Sequence, residues 1–411
     1  MDDLQEKVEY CLNCQNKPCV SGCPLGNNIP EFIKLVKEQK YEEAYDILSK
    51  TTVMPFICGK ICPKSAQCQG KCTRGIKQTP VLIGEIENTI GELAINNKWN
   101  LKLHASRQNG KEVAIVGAGP AGITAAINLA QKGFEITVYE KREKIGGILR
   151  YGIPDFRLDK KYIDALEEQL ISLNVRIVLN RTLGENINIE ELIRKYDAVL
   201  LCIGANSSCK MGIPGENMEH VLGANELLEY NKHPNYNGKK VIVIGGGNVA
   251  MDASREINHL GAKKVTVVYR RQREQMPAEP KEIEEAEAEG INFLFKTNVK
   301  EIKKDKAICT KNELIKKEGE NRLSPVEIAN SEFEMDADYV IMAIGSKLNS
   351  KGLDGVNLTP KGYINVDENY KTNINNVYAC GDTAGGIATV AFASKTGREA
   401  ANKIAESLNI S

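Results

Sequence analysis

The chain has 411 residues, 42% hydrophobic and 26% charged, an ordinary make-up for a soluble globular protein and enough chain for two to four domains. Lys and Arg balance Asp and Glu at 54 each, so no electrostatic case exists for nucleic acid or an anionic membrane as a partner. The polar opening MDDLQEKVEY is not a signal peptide, no apolar run approaches the roughly 18 residues of a membrane helix, and the chain reads as cytoplasmic.

Residues 1 to about 105 hold eight of the twelve cysteines, all within the first 72 positions. They read Cys11-x2-Cys14-x4-Cys19-x3-Cys23-Pro and Cys58-x3-Cys62-Pro-x4-Cys68-x3-Cys72. A reducing interior argues against a disulfide framework, so thiols at this density are metal ligands. Thiolates grouped this way, with Cys followed by Pro, suit iron–sulfur clusters. Zinc is the competing occupant, although its structural sites show paired C-x2-C knuckles and only Cys11/Cys14 has that spacing. Between the two halves of the block, Ile33, Val36, Tyr41, Ala44, Tyr45 and Leu48 recur at helical intervals. Residues 96–111 are polar, contain Asn109-Gly110 and read as a linker.

Lys111 to Lys141 gives an apolar strand, a glycine turn, an alanine-rich helix and a second strand. Gly117, Gly119 and Gly122 fit G-x-G-x-x-G. The first allows the tight turn, the second lets backbone approach a pyrophosphate, and the third lets helix and strand pack closely. The helix N-terminus favours phosphate, and Glu140, ending the second strand, can accept from ribose hydroxyls. Residues 204–238, with GIPGE, read as a connection between domains. The pattern then repeats from Lys239 to Arg271, where Gly245, Gly247, Asn248, Val249 and Ala250 form the turn and open the helix. Its second strand ends in Arg270, Arg271 and Arg273 rather than an acid. Arginines bind a 2′-phosphate bidentately, which favours NADPH over NADH. A solvated basic turn is the plainer alternative.

Near the far end, Tyr378-Ala-Cys-Gly381-Asp382 runs from a strand towards another small-residue helix. An aspartate there can hold a ribityl chain, and a helix terminus can stabilise a reduced flavin. Together with GAGPAG, this motif resembles the two-dinucleotide-binding flavoproteins, the glutathione- and thioredoxin-reductase-like superfamily, over residues 111–411, and that resemblance implies FAD at the first site. Disulfide reductases of that group carry a cysteine pair near the flavin. Here neither KREKIGGILRYGIP nor residues 245–301 contain cysteine, so electrons need another exit. His104, His220, His233 and His259 lie in separate contexts and form no catalytic group. Cys202, Cys209, Cys309 and Cys380 read as small apolar residues.

The order of C-x2-C-x4-C-x3-CP, CGKICP, VLIGEIE, VAIVGAGPAG, GGILRYGIPDFRL, VIVIGGGNVAMD, VVYRR and ACGD resembles the small subunit of NADPH-dependent glutamate synthase across residues 5–411. It is also similar to the N-terminal part of dihydropyrimidine dehydrogenase and its bacterial flavin subunit, and to the large subunit of electron-bifurcating ferredoxin:NADP oxidoreductase. The resemblance implies two [4Fe–4S] clusters, one on Cys11, Cys14, Cys19 and Cys72, the other on Cys23, Cys62, Cys68 and Glu87, with Cys58 unligated. It implies Gly147, Ile148 and Arg157 beside FAD, and Ala343 and Gly345 beside the nicotinamide nucleotide.

The expected fold class is α/β, with two Rossmann-like dinucleotide-binding domains, for FAD and NADPH, preceded by a small helical iron–sulfur domain. The expected division is 1–105 for the clusters, 106–205 and 350–411 for FAD, and 206–349 for NAD(P)H. No protein acid, base or nucleophile is demanded by hydride and electron transfer. With every segment assigned, the acceptor is expected on a larger catalytic subunit or a carrier such as ferredoxin. A pyrimidine-reducing or bifurcating assembly and a standalone NADPH diaphorase are the alternatives.

Overall fold

A computed structural model describes residues 2–102, 106–316 and 323–410. The chain forms two compact units, one built from Met1–Arg150, Asp155–Ala205 and Leu348–Ser411, the other from Tyr151–Pro154 and Asn206–Lys347. Among the described residues no helix is long and apolar enough to cross a membrane.

The first unit begins with six helices, α1 (Asp2–Glu9), α2 (Pro18–Gly22), α3 (Ile29–Lys37), α4 (Tyr41–Ser49), α5 (Pro55–Ile61) and α6 (Ile83–Asn96). The helical periodicity around residues 33–48 is broken into α3 and α4 at Gln39, whose φ of +60° stops the first helix. Phe32, Ile33, Val36, Ala44, Leu48, Ile86 and Ile90 make one buried core from their facing sides. Helices α5 and α6 meet through glycines: a Cβ on Gly59 would lie 2.4 Å from Asn88 N, and one on Gly91 would lie 2.5 Å from Phe56 N. That approach sets the Cys58–Cys62 turn against the Glu87 face of α6. Within 96–111, Trp99–Leu101 forms a 3-10 turn, and the Trp99 ring lies 6.5 Å from Tyr45.

The same unit continues with β1 (Glu112–Val116), α7 (Pro120–Gln131), β2 (Glu135–Tyr139), α8 (Ile148–Tyr151), α9 (Lys161–Ser172), β3 (Arg176–Val178), α10 (Ile189–Lys195) and β4 (Ala198–Leu201). The second unit holds β5 (Ser207–Ser208), β6 (Val221–Gly223), α11 (Ala224–Tyr230), β7 (Lys240–Ile244), α12 (Asn248–His259), β8 (Lys264–Val268), α13 (Pro280–Ala288) and β9 (Asn292–Leu294). It then adds β10 (Thr297–Ile302), β11 (Lys306–Ile315), β12 (Ser324–Glu327), β13 (Phe333–Asp336), β14 (Tyr339–Met342) and β15 (Ser346–Lys347). The chain returns to the first unit for β16 (Val377–Ala379) and α14 (Val390–Ser407).

Each unit is organised on a five-stranded sheet, ordered β16-β4-β1-β2-β3 in the first and β6-β14-β7-β8-β9 in the second. All pairings in both are parallel. Strands covered on both faces read as continuous apolar runs, as in β1, with Val113 to Val116 buried, and β4, buried throughout. Residues 204–238 are not the simple connection their composition suggests. They supply β5, β6 and α11 to the second unit, where β6 pairs with β14 as the sheet's edge strand. The reason is that VLG is too short and too ordinary to stand out as a strand before its partner is known.

Helix α14 closes the first unit. A Cβ on Gly397 would lie 2.3 Å from Ala121 O, so α14 lies directly on α7. Arg398 of α14 donates to the carbonyls of Leu25, at 3.0 Å, and of Thr51. Phe56 stacks on Tyr162 with ring centroids 5.6 Å apart, and Tyr162 also donates to Glu92. These contacts join the cysteine-bearing helices to the parallel-sheet part of the unit.

Candidate functional site

The first glycine turn lies between the C-terminal end of β1 and α7, the usual place for a ligand in an open α/β sheet. Gly117 has φ +104°, and a Cβ there would lie 2.3 Å from Cys202 O. Gly122 allows α7 to close on the strand, since its Cβ would meet Gly117 O at 2.0 Å. Gly119 differs. Its φ of −83° and ψ of −172° suit any residue, and a Cβ would have no neighbour nearer than Gly147 Cα at 3.9 Å. Neither backbone strain nor packing demands glycine at 119, and the space it leaves in front of the α7 N-terminus is what a pyrophosphate requires.

Two distant segments meet this turn. Gly146 N donates to Ala118 O at 2.8 Å, which lays Gly147 against Gly119 and sets Ile148, 41% exposed, beside them. Arg157 lies between α8 and α9. From the other end of the chain, Gly381, at φ +66°, sits so close that its Cβ would be 2.9 Å from that of Ala121. Its N–H donates to Thr396 Oγ1 at 3.0 Å. Burial raises the neighbouring Asp382 carboxyl to about 6. Glu140 is buried, and its oxygens accept from Ala118 N at 2.8 Å and Arg142 N at 2.9 Å. Each oxygen keeps a lone pair for a further donor. These residues fit a flavin dinucleotide.

The second turn has the same construction. Gly245 has φ +142°, and its Cβ would lie 2.2 Å from Ala343 O, while Gly247, at φ −95°, has nothing nearer than Pro277 Cγ at 3.8 Å. Asn248 Oδ1 accepts from Glu279 N at 3.0 Å, Val249 is partly buried and Ala250 fully so. Ala343 N donates to Ile244 O at 2.8 Å, and Gly345 has φ +131°. The three arginines do not act alike. Arg271 donates to Leu323 O at 2.8 Å, and Arg273 pairs with Glu287. Arg270 is exposed, with its carbonyl accepting from Asn312 Nδ2 at 3.1 Å.

The cysteines form two neighbourhoods. Cys11, Cys14, Cys19 and Cys72 line one pocket together with Ile33 and Ile83. Cys23, Cys58, Cys62, Cys68 and Glu87 form the other, each close enough to shift the titration of another. Burial raises the Cys19 and Cys23 thiols to about 11 and pushes Cys11 up, and the neighbouring thiols and Glu87 raise them further. Cys62 is raised well above the ordinary value by its hydrogen bond with Cys58 and by burial. Burial also raises Glu87 to about 8, while Asn27 Nδ2 donates to its Oε1 at 3.1 Å. Crowded, desolvated thiols of this kind ionise only beside compensating positive charge. Among the described residues no group of three or more His, Cys, Asp or Glu side chains stands ready to hold a metal ion. Four thiols on one pocket, those of Cys11, Cys14, Cys19 and Cys72, are the donor set that suits an iron–sulfur cluster.

Residues 111–397 match the family described as pyridine nucleotide-disulphide oxidoreductase, and residues 2–99 match dihydropyrimidine dehydrogenase domain II, 4Fe-4S cluster. The glutamate synthase [NADPH] small chain of Azospirillum brasilense is 34% identical, covering 97% of this chain and 88% of its own length. The chain belongs to the pyridine nucleotide-disulphide oxidoreductases and, within them, to the glutamate synthase small-chain family. The putative oxidoreductase AegA of Escherichia coli is also 34% identical over the whole chain, which spans 66% of that protein. Among solved structures, FprA of Mycobacterium tuberculosis in complex with NADPH superposes with a TM-score of 0.66 at 22% identity, covering 73% of this chain and 85% of that one. That likeness concerns the fold.

Membership of the glutamate synthase small-chain family does not make every cysteine legible. Cys202 and Cys380 read as isolated, yet they follow paired strands β4 and β16, and their sulfurs lie 3.4 Å apart. Adjacent parallel strands bring together residues 178 positions apart, which no local pattern announces. Cys309 is buried against Met335 Sδ at 3.6 Å. The sequence also gave no sign of Thr52 and Met54 beside Cys58, nor of Arg398 on the carbonyls behind the cysteine block.

Proposed function

We propose that this chain takes reducing equivalents from NADPH through FAD to two [4Fe–4S] clusters and passes them to a partner. The observation that carries the reading is the collection of eight thiols into two groups in the same unit as the first glycine turn. When bound, NADPH supplies a hydride, FAD divides the pair, and the clusters carry single electrons. Cys11, Cys14, Cys19 and Cys72 are the ligands of one cluster, and Cys23, Cys62, Cys68 and Glu87 those of the other. Gly117, Gly119, Gly122 and Glu140 hold the FAD pyrophosphate and ribose, with Gly147, Ile148, Arg157, Gly381 and Asp382 around the rest of the flavin. Gly245, Gly247, Asn248, Val249 and Ala250 hold the second nucleotide, with Ala343 and Gly345 beside it. Exposed Arg270 is the 2′-phosphate contact, while Arg271 and Arg273 brace the loop. Orientation and exclusion of water are what the residues contribute.

The domains follow from these roles: 1–105 for the clusters, 106–205 with 350–411 for FAD, and 206–349 for the nicotinamide nucleotide. The relatives called small chains point to a larger catalytic subunit as acceptor, and so many thiols suit the reducing cytoplasm. The test is elemental and optical analysis of anaerobically purified protein. The reading expects one FAD and about eight iron atoms with as many sulfides per chain, four of each per cluster. Zinc in place of iron, or a single cluster, contradicts it.

A further inference from the structure

Glu87 of α6 belongs to the second cysteine group and is 6% exposed. A carboxylate buried this far needs hydrogen bonds and an opposite charge. Among the described residues it has one hydrogen bond, from Asn27 Nδ2 to its Oε1 at 3.1 Å. The Lys64 ammonium donates to Gly59 O and Lys60 O, at 3.0 and 2.9 Å, rather than to this carboxylate. Oε2 is therefore left for a cation. Asn27 is itself firmly held. It is 1% exposed, and its Oδ1 accepts from Thr51 Oγ1 at 2.5 Å. The same hydroxyl lies 3.2 Å from Leu48 O, the longer of its two contacts. Arg398 of α14 donates to Leu25 O and Thr51 O, so one guanidinium ties the Asn27 loop to Thr51. An amide whose oxygen accepts the Thr51 proton turns its NH2 to Glu87, and an NH2 only donates. The reverse orientation would set amide oxygen against carboxylate oxygen, which only a protonated Glu87 tolerates. A carboxylate bound to metal has no proton. The network thus suits an ionised, ligating Glu87.

We propose that Asn27, locked in orientation by Thr51, is a positioning residue that holds Glu87 on the second cluster and, by donating to its Oε1, favours the reduced form of that cluster. The inference rests on the assignment of Glu87 as a cluster ligand made above. Reduction adds negative charge to a cluster and its ligands. A donor on the ligand's other oxygen stabilises that added charge, and so the reduced form more than the oxidised one. Partners that orient a metal ligand in this way typically change metal affinity or activity about 10–100-fold when removed. No bond is made or broken and the amide keeps its protons, so the effect is one of ligand geometry and potential.

The test is an anaerobic potentiometric titration followed by EPR, with iron analysis, on the full-length protein and on Asn27→Ala, Thr51→Val and Thr51→Ser. Glu87→Ala, made in parallel, loses one cluster and so marks the signal to follow. In Asn27→Ala that cluster is expected to become at least threefold less favourable to reduce, about 28 mV for a one-electron couple at 59 mV per tenfold, while the other keeps its midpoint. Thr51→Val shifts the same cluster in the same direction by less, and Thr51→Ser, which keeps the hydroxyl, stays at the wild-type value. A packing role alone would lower thermal stability without selecting one midpoint. Unchanged midpoints in Asn27→Ala, or equal shifts of both clusters, overturn the inference. If Asn27→Ala loses a cluster or fails to fold, the Thr51 pair decides: a lowered midpoint in Thr51→Val alone upholds the inference, and no shift, or the same shift in Thr51→Ser, overturns it. Glu87→Ala protein with both clusters intact overturns the ligand assignment itself, a result separate from any Asn27 or Thr51 variant.

Discussion

Gly119→Ala separates what the fold needs from what the ligand needs. The backbone at 119 has φ −83° and ψ −172°, which alanine adopts freely, and the added methyl has no neighbour nearer than 3.9 Å. Stiffening the unfolded chain contributes about 0.4–1 kcal/mol, offset by up to about 1 kcal/mol because alanine caps a helix less well than glycine. The flavin-free protein therefore keeps its stability to within about 1 kcal/mol. The methyl instead fills the space in front of the α7 N-terminus, where a pyrophosphate would meet backbone N–H groups. Loss of two charge-assisted hydrogen bonds at about 1.5–3 kcal/mol each weakens FAD by two orders of magnitude or more. Gly117→Ala is the contrast. With φ +104° and Cys202 O at 2.3 Å from the new Cβ, it destabilises even the flavin-free chain, by about 2–5 kcal/mol. The assay is bound flavin per chain beside thermal unfolding of stripped protein. Gly119→Ala protein that retains FAD with wild-type affinity, or that unfolds as readily as Gly117→Ala, refutes the reasoning.

Other substitutions probe the remaining sites. Arg270→Ala should weaken NADPH about tenfold, some 1.4 kcal/mol, and leave NADH within twofold; equal loss for both nucleotides in a binding titration removes Arg270 from the 2′-phosphate. Cys11→Ala and Glu87→Ala should each lose one cluster, about four iron atoms, and EPR should show different survivors; the same survivor in both contradicts the two-group assignment. Burial raises Asp382 from 3.8 to about 6, so its contribution favours the folded flavin-free protein below pH 4 and is lost as pH rises through 6. Denaturant titrations of stripped protein should show a loss on the order of 2 kcal/mol between pH 4 and 7, absent in Asp382→Asn.

Both glycine turns were legible because backbone approach leaves a residue-level trace: no other side chain fits at 117 or 245. The apolar strands before them were equally plain, since strands buried on both faces show as unbroken runs in Val113–Val116 and Val241–Ile244. The cysteine spacing told of ligands but not of their grouping. Cys72 reaches Cys11 and Cys19 only after α3 and the turns from Cys68 to Cys72 have folded. The α5–α6 packing that sets Glu87 by Cys62 depends on Gly59 and Gly91 meeting backbone, and helical glycines look weak until their neighbours are known. Cys202 and Cys380 are buried as small apolar residues, but their meeting was hidden for a similar reason, and residues 204–238 were misjudged because short β6 gains meaning only from β14. The arginine run was read by charge alone, and the acceptors of Arg271 and Arg273, Leu323 O and Glu287, lie far along the chain.

The central claim is an electron path from NADPH through FAD to iron–sulfur clusters. Its most direct test is an anaerobic titration of the purified protein with NADPH, following flavin absorbance and the cluster EPR signal together. The account predicts that NADPH bleaches the flavin and that signals of reduced [4Fe–4S] clusters appear in the same titration. Flavin that bleaches while iron analysis finds no clusters, or flavin that NADPH leaves oxidised, contradicts it.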